Sequence, residues 1–241
     1  MKTFQPEDAG LFFGRTAKIQ EALYRLANGF GTPKEERFLA LIGPSGSGKS
    51  SLGLAGIIPA IRRGDLPDSA QWLRIRCRPG ARPWENLQIA LANEPQLAAH
   101  FATLPALVAR PQDEARRLHL TAQLALHGRP ETHRLIVFID QFEEVFTLCK
   151  DDAERRRLID NALYASSVAA GRTIVVLTLR ADFYGQCASH SGLRAALSDH
   201  PLLIGPLREE ELRQAIEAPA RLAGGELEPG LLELLLADMK G

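Results

Sequence analysis

Residues 43 to 50 combine the amino acids that proteins use to hold phosphate groups. They read Gly43-Pro44-Ser45-Gly46-Ser47-Gly48-Lys49-Ser50, which has the spacing G-x-x-x-x-G-K-[ST] of a phosphate-binding loop, or P-loop. Glycines let backbone N–H groups turn toward an anion, because they lack the Cβ that disfavours positive φ angles. We expect Lys49 to reach the β- and γ-phosphates of a nucleotide and the Ser50 hydroxyl to bind Mg²⁺. Ser51 is the last residue of this predicted nucleotide contact.

The stretches on either side of this loop have the character that a P-loop requires. An apolar run, residues 38–42, precedes the loop, and residues 51–63 have helical character. Strand, loop and helix in this order form the P-loop unit, in which the first N–H groups of the helix face the phosphates. A chance glycine-rich turn is the alternative, and it does not account for the flanking elements. The sequence therefore predicts a nucleotide site.

A second Mg²⁺ anchor is expected from an acid at the end of a neighbouring buried strand. The apolar run Ile136-Val137-Phe138-Ile139 ends in Asp140, which fits this position, known as Walker B. The alternative is that Asp140 caps the N-terminus of a following helix. Because the P-loop is present, we predict that Asp140 binds the metal together with Ser50.

The residues after Asp140 bear on catalysis. Many ATPases place an acid directly after this aspartate to activate the attacking water, but here the position is Gln141. Glu143 and Glu144 follow in the first turn of the next helix, where either carboxylate could accept a proton from water. Solvated acids near a helix N-terminus are the alternative. The sequence does not separate Glu143 from Glu144.

An arginine follows the strongest β-strand pattern of the chain, residues 172–179. Arg180 is expected at the same sheet edge as the P-loop, where its guanidinium would sense the γ-phosphate or stabilise the charge that develops during transfer. The alternative is a surface arginine that pairs with Asp182. We predict the sensor role.

Three arginines alternate along the second predicted strand, so they share one of its faces: Arg74, Arg76 and Arg78. No aromatic residues interleave with them, as stacking on nucleic acid would require. A solvated or salt-bridged edge strand is the favoured interpretation, and nucleic acid is not an expected partner.

Composition limits the class of protein. Of 241 residues, 45% are hydrophobic and 24% are charged, and 29 Lys and Arg residues balance 29 Asp and Glu residues. This balance gives no basic field for nucleic acid. The three cysteines are isolated from one another, which predicts reduced, buried thiols. The N-terminus lacks the apolar core of a signal peptide, and no apolar run approaches the ~18 residues of a membrane span. We expect a soluble cytoplasmic protein without a membrane partner.

Strands and helices alternate along the chain, which predicts an α/β fold with a doubly wound, five-stranded parallel sheet flanked by helices. The predicted strands cover residues 38–42, 71–77, 133–140, 172–179 and 201–207. The predicted helices cover residues 16–26 (with Thr16 as N-cap), 49–63, 83–93, 112–127, 151–170, 208–223 and 229–239. We divide the chain into an N-terminal segment and helix (1–36), a P-loop NTPase core (37–207) and the start of a C-terminal helical lid (208–241). The chain is expected to be part of a longer protein.

The motifs together resemble the STAND class of signal-transduction ATPases, and within it the novel STAND NTPase 1 group. The resemblance is carried by the P-loop with its strand and by Glu7-Asp8-Ala9, Leu11-Phe12-Phe13-Gly14-Arg15, Arg78-Pro79-Gly80, Asp140-Gln141-Phe142-Glu143-Glu144-Val145-Phe146, Thr178-Leu179-Arg180-Ala181-Asp182-Phe183-Tyr184 and Glu228-Pro229-Gly230-Leu231. The run from Asp140 to Glu144 is also similar to the extended Walker B of the related NACHT class.

The resemblance implies more than the spacing does. It implies a slowly hydrolysing ATP/ADP switch with Mg²⁺, in which ATP favours an open, self-associating state and ADP a closed one. Effector and sensor domains would lie outside this chain, and the setting would be bacterial defence or stress signalling. Phe13, Gly14 and Arg15 would line the adenine and ribose side, and Arg180 would be the first sensor arginine. The family continues into a helical lid with a Gly-x-Pro-type element that this chain does not reach.

Two other functions stay open. Gln141 in place of an acid favours a nucleotide-gated oligomerisation scaffold that binds ATP without hydrolysing it. A small-molecule kinase is the weaker alternative, because such enzymes need an arginine-rich lid and residues 181–200 contain only Arg194.

Overall fold

The computed structural model describes residues 3–28, 37–101, 111–199 and 201–238. Within these residues one sheet of five parallel strands has the order β2–β3–β4–β1–β5. The strands are β1 (Phe38–Gly43), β2 (Leu73–Cys77), β3 (Leu135–Ile139), β4 (Thr173–Arg180) and β5 (Pro201–Leu203). From β1 the chain crosses to β2 at one edge, returns through β3 and β4, and then passes to β5 on the other side of β1. The doubly wound α/β fold predicted from the sequence is confirmed.

Helices cover both faces of the sheet. The described α-helices are Thr16–Asn28, Lys49–Ser51, Ile58–Arg63, Pro83–Ala92, Pro95–Phe101, Arg117–Ala125, Glu144–Thr147, Asp152–Ser167, Tyr184–Cys187, Ser191–Asp199, Glu209–Leu222 and Leu231–Asp238. Short 3₁₀ helices are Pro6–Leu11, Ser69–Gln71, Pro111–Arg116 and Ala181–Phe183, and Leu52–Ile57 is π-helical. Glycines and a proline at residues 28–34 also predict a loop from the sequence, and of these residues only Asn28 belongs to the described part.

Several predicted boundaries are wrong. The Ile19 N–H donates to the Arg15 carbonyl, so the first helix begins at Thr16 and Arg15, rather than Thr16, holds the N-cap position. Strand β5 stops at Leu203 instead of residue 207. One further ladder bond joins Ile204 to β1, and Pro206 then lacks the N–H that pairing would need.

Side chains alternate between two buried cores, one on each face of the sheet. Residues of odd number in β3 join a core with the helices Pro83–Ala92, Arg117–Ala125 and Asp152–Ser167. Residues of even number in β3 pack with the helix Thr16–Asn28 and the helix after the P-loop. Burial on both faces explains why β3 and β4 read as continuous apolar runs.

The helix after the P-loop, residues 49–63, is continuous but changes its winding. Its middle segment, Leu52–Ile57, is π-helical, and the Ile58 N–H donates to the carbonyl of Gly53 five residues earlier. Gly53 lies directly against Phe138, because a Cβ on this glycine would be 2.2 Å from the end of the phenyl ring. The missing side chain lets the helix approach β3 closely, and this packing sets the height of Lys49 and Ser50 above the sheet.

Candidate nucleotide-binding site

The P-loop lies at the carboxyl end of β1, an interior strand between β4 and β5. Gly46 and Gly48 have φ angles of 77° and 86°, which residues with a Cβ rarely adopt. A Cβ on either glycine would meet nothing within 4 Å, so the backbone conformation, and not crowding, requires glycine there. The loop from Gly43 through Pro44, Ser45, Gly46 and Ser47 to Gly48 thus has the turn that directs N–H groups toward an anion.

Lys49 is buried under this loop. Its Nζ donates to the carbonyls of Gly43, at 2.9 Å, and Pro44, at 2.7 Å. Lys49 as a whole is only 7% exposed. Burial lowers the pKa of Lys49, and the nearby Glu143 carboxylate partly offsets the effect. Two neutral carbonyls do not balance a buried ammonium charge, whereas phosphate oxygens would.

Two predicted Mg²⁺ ligands meet although they are 90 residues apart in the chain. The Ser50 hydroxyl donates to Asp140 Oδ1 over 2.6 Å, and Asp140 is 2% exposed. The next helix begins at Glu144 with Glu143 at its N-cap, so the alternative role of Asp140 as a helix cap does not hold.

Thr178 is a site residue that the sequence analysis missed. Its buried hydroxyl donates to Asp140 Oδ1 over 2.9 Å and accepts the Gln141 N–H over 2.7 Å. Gln141 has a φ of 59°, an uncommon conformation for a residue other than glycine. The available signal was that Thr178 interrupts the apolar residues 174–179 of β4.

Glu143 and Glu144 have different surroundings in the structure. Glu143 Oε2 accepts the Arg180 N–H over 3.3 Å, and burial raises its pKa, while hydrogen bonds from backbone N–H groups and the charges of Lys49 and Arg180 act in the opposite direction. Glu144 faces another way: its Oε2 accepts the Gly80 N–H over 3.0 Å, and Oε1 lies 3.5 Å from Arg78. Glu143 therefore lies beside the P-loop, and Glu144 holds the turn after β2.

Arg180 is opposite Gly43 in the β1–β4 register, so its backbone lies at the P-loop edge. Its guanidinium pairs with Asp182, at 3.1 Å from Nε to Oδ1 and 2.7 Å from Nη2 to Oδ2, and lies over the Phe183 ring. The contact with Asp182 that the sequence offered as the alternative is present, and the arginine charge adds to the effect of burial in lowering the pKa of Lys49.

The segment Phe13-Gly14-Arg15 joins the P-loop to the predicted lid. Arg15 is 5% exposed, and its Nη2 donates to the carbonyls of Ser47, at 3.0 Å, and Gly205, at 2.7 Å. Glu211, in the helix Glu209–Leu222, lies 3.9 Å from Arg15, and its carbonyl leaves no room for a Cβ on Gly14. Phe13 is half-buried.

Strand β2 lies at an edge of the described sheet, which confirms the edge-strand interpretation of the alternating arginines. Arg74 Nη1 donates to the Ala70 carbonyl over 3.3 Å, whereas Arg76 and Arg78 face the acids Asp140 and Glu144. Two of the three arginines thus belong to the surroundings of the candidate site.

The oxygens at this site suit Mg²⁺, which binds few protein ligands and takes the rest from phosphates and water. Ser50 and Asp140 supply a hydroxyl and a carboxylate side by side. Within the described residues no group of three or more His, Cys, Asp or Glu side chains could hold a metal without such help. The residues fit a metal–nucleotide complex.

The described residues contain no helix that is both long enough and apolar enough to cross a membrane.

A search of curated proteins found no match. Among solved structures, the chain is similar to the ORC2 protein of Aeropyrum pernix, solved as ADPNP–ADP complexes, at 16% identity and a TM-score of 0.53, covering 86% of this chain and 50% of that one. It is also similar to Cdc6p of Pyrobaculum aerophilum, at 14% identity and a TM-score of 0.47, covering 92% and 54%.

A third similar structure is domain III of the replication initiation protein DnaA of Thermotoga maritima, at 13% identity and a TM-score of 0.43, covering 98% and 82%. The chain spans about half the length of the first two structures. At 16% identity the likeness to ORC2 shows the fold alone. The family comparison goes further, because the sequence model described as Novel STAND NTPase 1 matches residues 1–241. The chain therefore belongs to the Novel STAND NTPase 1 family of P-loop NTPases.

Proposed function

We propose that the chain is the ATP-binding and slowly ATP-hydrolysing core of a STAND signalling switch. The observation that carries the proposal is the 2.6 Å contact between the Ser50 hydroxyl and Asp140, which joins the P-loop to the end of β3. A hydroxyl and a carboxylate in this position, beside a buried lysine, match the metal and phosphate contacts of P-loop ATPases.

Each residue then has a role. The N–H groups of the P-loop and Lys49 bind the β- and γ-phosphates, and Ser50 and Asp140 hold Mg²⁺, which neutralises phosphate charge when bound. Glu143 takes the proton of the attacking water, since it is the glutamate beside Lys49 and Arg180. Arg180 stabilises the γ-phosphate charge after leaving Asp182. ATP and ADP as ligands are supported by family membership and by the ADPNP–ADP complexes of the similar ORC2 protein.

The identity of residue 141 and the contacts of the catalytic groups support slow turnover. Gln141 replaces the acid that would stand directly after Asp140. Glu143 is hydrogen-bonded to the Arg180 N–H, and the Arg180 side chain is engaged by Asp182. Arg180 must therefore leave Asp182 before it reaches a γ-phosphate, and this rearrangement limits the rate.

The switch would act through the elements around the core. Arg15 contacts the P-loop carbonyl of Ser47 and also Glu211 of the helix Glu209–Leu222, so a change at the phosphates reaches the N-terminal segment (1–36) and the lid (208–241). We infer self-association in the ATP state, with effector and sensor domains outside this chain, in cytoplasmic defence or stress signalling. Free, buried cysteines support that location: Cys77, Cys149 and Cys187.

A non-hydrolysing scaffold is the second candidate, and Gln141 is the observation that favours it. Phosphate release from ATP that disappears in Glu143→Gln would exclude it.

Calorimetry with Mg²⁺ and ADP tests nucleotide binding. Lys49→Ala is expected to weaken binding by about 10- to 100-fold, the usual size of one lost charged hydrogen-bonding group. Lys18→Ala is the matched control, because Lys18 forms a partly exposed pair with Glu21 on the first helix. Unchanged affinity in Lys49→Ala would refute the assignment.

A further inference from the structure

Arg76 lies between the N-terminal segment and the predicted metal-binding carboxylate. Its Nη1 donates to Gln5 Oε1 over 2.8 Å, and its Nη2 is 3.6 Å from Asp140 Oδ2. The arginine is placed there by the sheet, because β2 pairs with β3 and Arg76 is opposite Phe138, two residues before Asp140. One guanidinium thus contacts two parts of the chain that are far apart in sequence.

The Gln5 end of this contact is fixed by the local fold. Gln5 is the N-cap of the 3₁₀ helix Pro6–Leu11, and its N–H donates to Asp8 Oδ2 over 2.8 Å. The neighbouring Phe4 N–H donates to the Ser51 hydroxyl over 3.2 Å. Residues 3–15 of the N-terminal segment are therefore docked on the first turn of the helix after the P-loop, and Gln5 holds Arg76 from that position.

At the other end, the two carboxylate oxygens of Asp140 have different neighbours. Oδ1 accepts hydrogen bonds from Ser50 and Thr178, whereas Oδ2 faces Arg76. A positive charge beside a carboxylate lowers the affinity of that carboxylate for a cation, since the two cations repel each other. The Arg76 side chain is 42% exposed, so without the hold of Gln5 it has room to turn toward solvent.

We propose that Arg76 is a positioning residue through which the docked N-terminal segment lowers the Mg²⁺ affinity of the nucleotide site. The inference rests on the proposed function, because it needs Mg²⁺ at Asp140. When the segment leaves the core, Gln5 releases Arg76 and Mg²⁺ binds more tightly. Linkage makes the coupling reciprocal, so Mg²⁺ with nucleotide weakens the docking of the segment to the same extent.

Titration of Mg²⁺ into the ADP-saturated chain, followed by calorimetry, tests the first half. Arg76→Ala is expected to bind Mg²⁺ about 3- to 10-fold more tightly, the effect of removing one charge at a partly exposed site. Gln5→Ala is expected to change the affinity in the same direction by less, and the double variant to match Arg76→Ala. ADP affinity in EDTA stays within about twofold, which separates this role from a general loss of structure.

Arg74→Ala is the matched control, because it removes the same charge from the same face of β2, and Arg74 donates to the Ala70 carbonyl instead of facing Asp140. It is expected to leave the Mg²⁺ affinity unchanged. Arg76→Lys keeps the charge and is expected to lie between wild type and Arg76→Ala. An equal effect of Arg74→Ala and Arg76→Ala would show a long-range charge effect and overturn the positioning role.

Hydrogen exchange tests the reciprocal half. Mg²⁺·ADP is expected to speed amide exchange at residues 4–8 relative to ADP in EDTA, and Arg76→Ala is expected to remove this difference. An unchanged Mg²⁺ affinity in Arg76→Ala overturns the inference while the proposed function stands. A wild-type chain whose ADP binding does not respond to Mg²⁺ overturns both.

Discussion

Thr178 and Asp140 lie at the ends of neighbouring strands, and the threonine hydroxyl donates to the aspartate carboxylate over 2.9 Å. The same hydroxyl accepts the Gln141 N–H, so one side chain orients the predicted metal ligand and the backbone that follows it. Thr178→Val keeps the shape and removes the hydroxyl. We expect it to weaken Mg²⁺ binding in the presence of ADP by about 10-fold, as loss of a ligand-orienting partner usually does. Thr178→Ser should retain the affinity, and equal losses in both variants would contradict this role.

Substitutions at Glu143 and Glu144 are expected to differ in their effect on the chemical step. Glu143→Gln is expected to lower phosphate release from ATP by about 10²- to 10⁴-fold with little change in ADP affinity, because it removes the base that accepts the proton of water. Glu144→Gln serves as the control, because Glu144 contacts Gly80 and Arg78 in the turn after β2 and does not face the P-loop. Steady-state phosphate release measures both. A larger loss in Glu144→Gln would reverse the assignment.

The raised pKa of Glu143 predicts how stability and activity depend on pH. Between the unfolded and the folded pKa the folded chain holds more of this proton than the unfolded chain does, so the unfolding free energy falls as pH rises through that window. The window begins near the usual glutamate value of about 4.3 and extends upward. Urea unfolding of wild type and Glu143→Gln at several pH values should show this fall in wild type alone. Phosphate release should rise with pH, with a midpoint above the usual value.

Arg15 is expected to contribute mainly to stability. Arg15→Ala leaves the carbonyls of Ser47 and Gly205 without their guanidinium donor and removes the cation beside Glu211. We expect the unfolding free energy to fall by about 2–4 kcal/mol. Arg221→Ala, which breaks a largely exposed pair with Glu217, should cost less than about 1 kcal/mol. Urea unfolding compares them, and similar losses would mean that the burial of Arg15 has no special effect.

Gly53 is predicted to tolerate no larger side chain. In Gly53→Ala the new Cβ meets the Phe138 ring, and we expect a loss of about 1–3 kcal/mol in the free energy of unfolding. Gly185→Ala, where a Cβ meets nothing within 4 Å, is the control. Adding Phe138→Leu to Gly53→Ala makes room and should recover part of the loss. Thermal unfolding of the four chains tests this, and an unaltered Gly53→Ala would refute it.

The fold was largely predictable because its central strands are buried on both faces. The apolar runs of β3 and β4 therefore read as strands without help from the rest of the chain. Tyr184–Cys187 was missed because four residues make about one turn and show no period. Ser191–Asp199 was missed although its buried residues Leu193 and Leu197 have helical spacing. The winding of residues 52–57 depends on tertiary packing, which local composition does not encode.

The positions of Lys49, Ser50 and Asp140 were predictable because a residue type and its strand end suffice to place them, and their roles stay predictions. Which of Glu143 and Glu144 faces the P-loop depends on the turn at Gln141. The positive φ of Gln141 could not be predicted from a sequence pattern. The sequence predicted that Arg76 lies on an edge strand. Its contact with Asp140 depends on the pairing of β2 with β3, which the sequence did not predict. Such relations come from strand order, which a single sequence leaves open.

The π-helical segment Leu52–Ile57 also bears on how this family can vary. A π-helical turn contains one residue more than the backbone bonding of an α-helix needs. Deleting one residue there would restore α-helical bonding and leave Lys49 and the far end of the helix in their places. The same deletion within Ile58–Arg63 would rotate every later helical residue by about 100°. The helix therefore carries one position at which related chains can differ in length while the phosphate end stays unchanged.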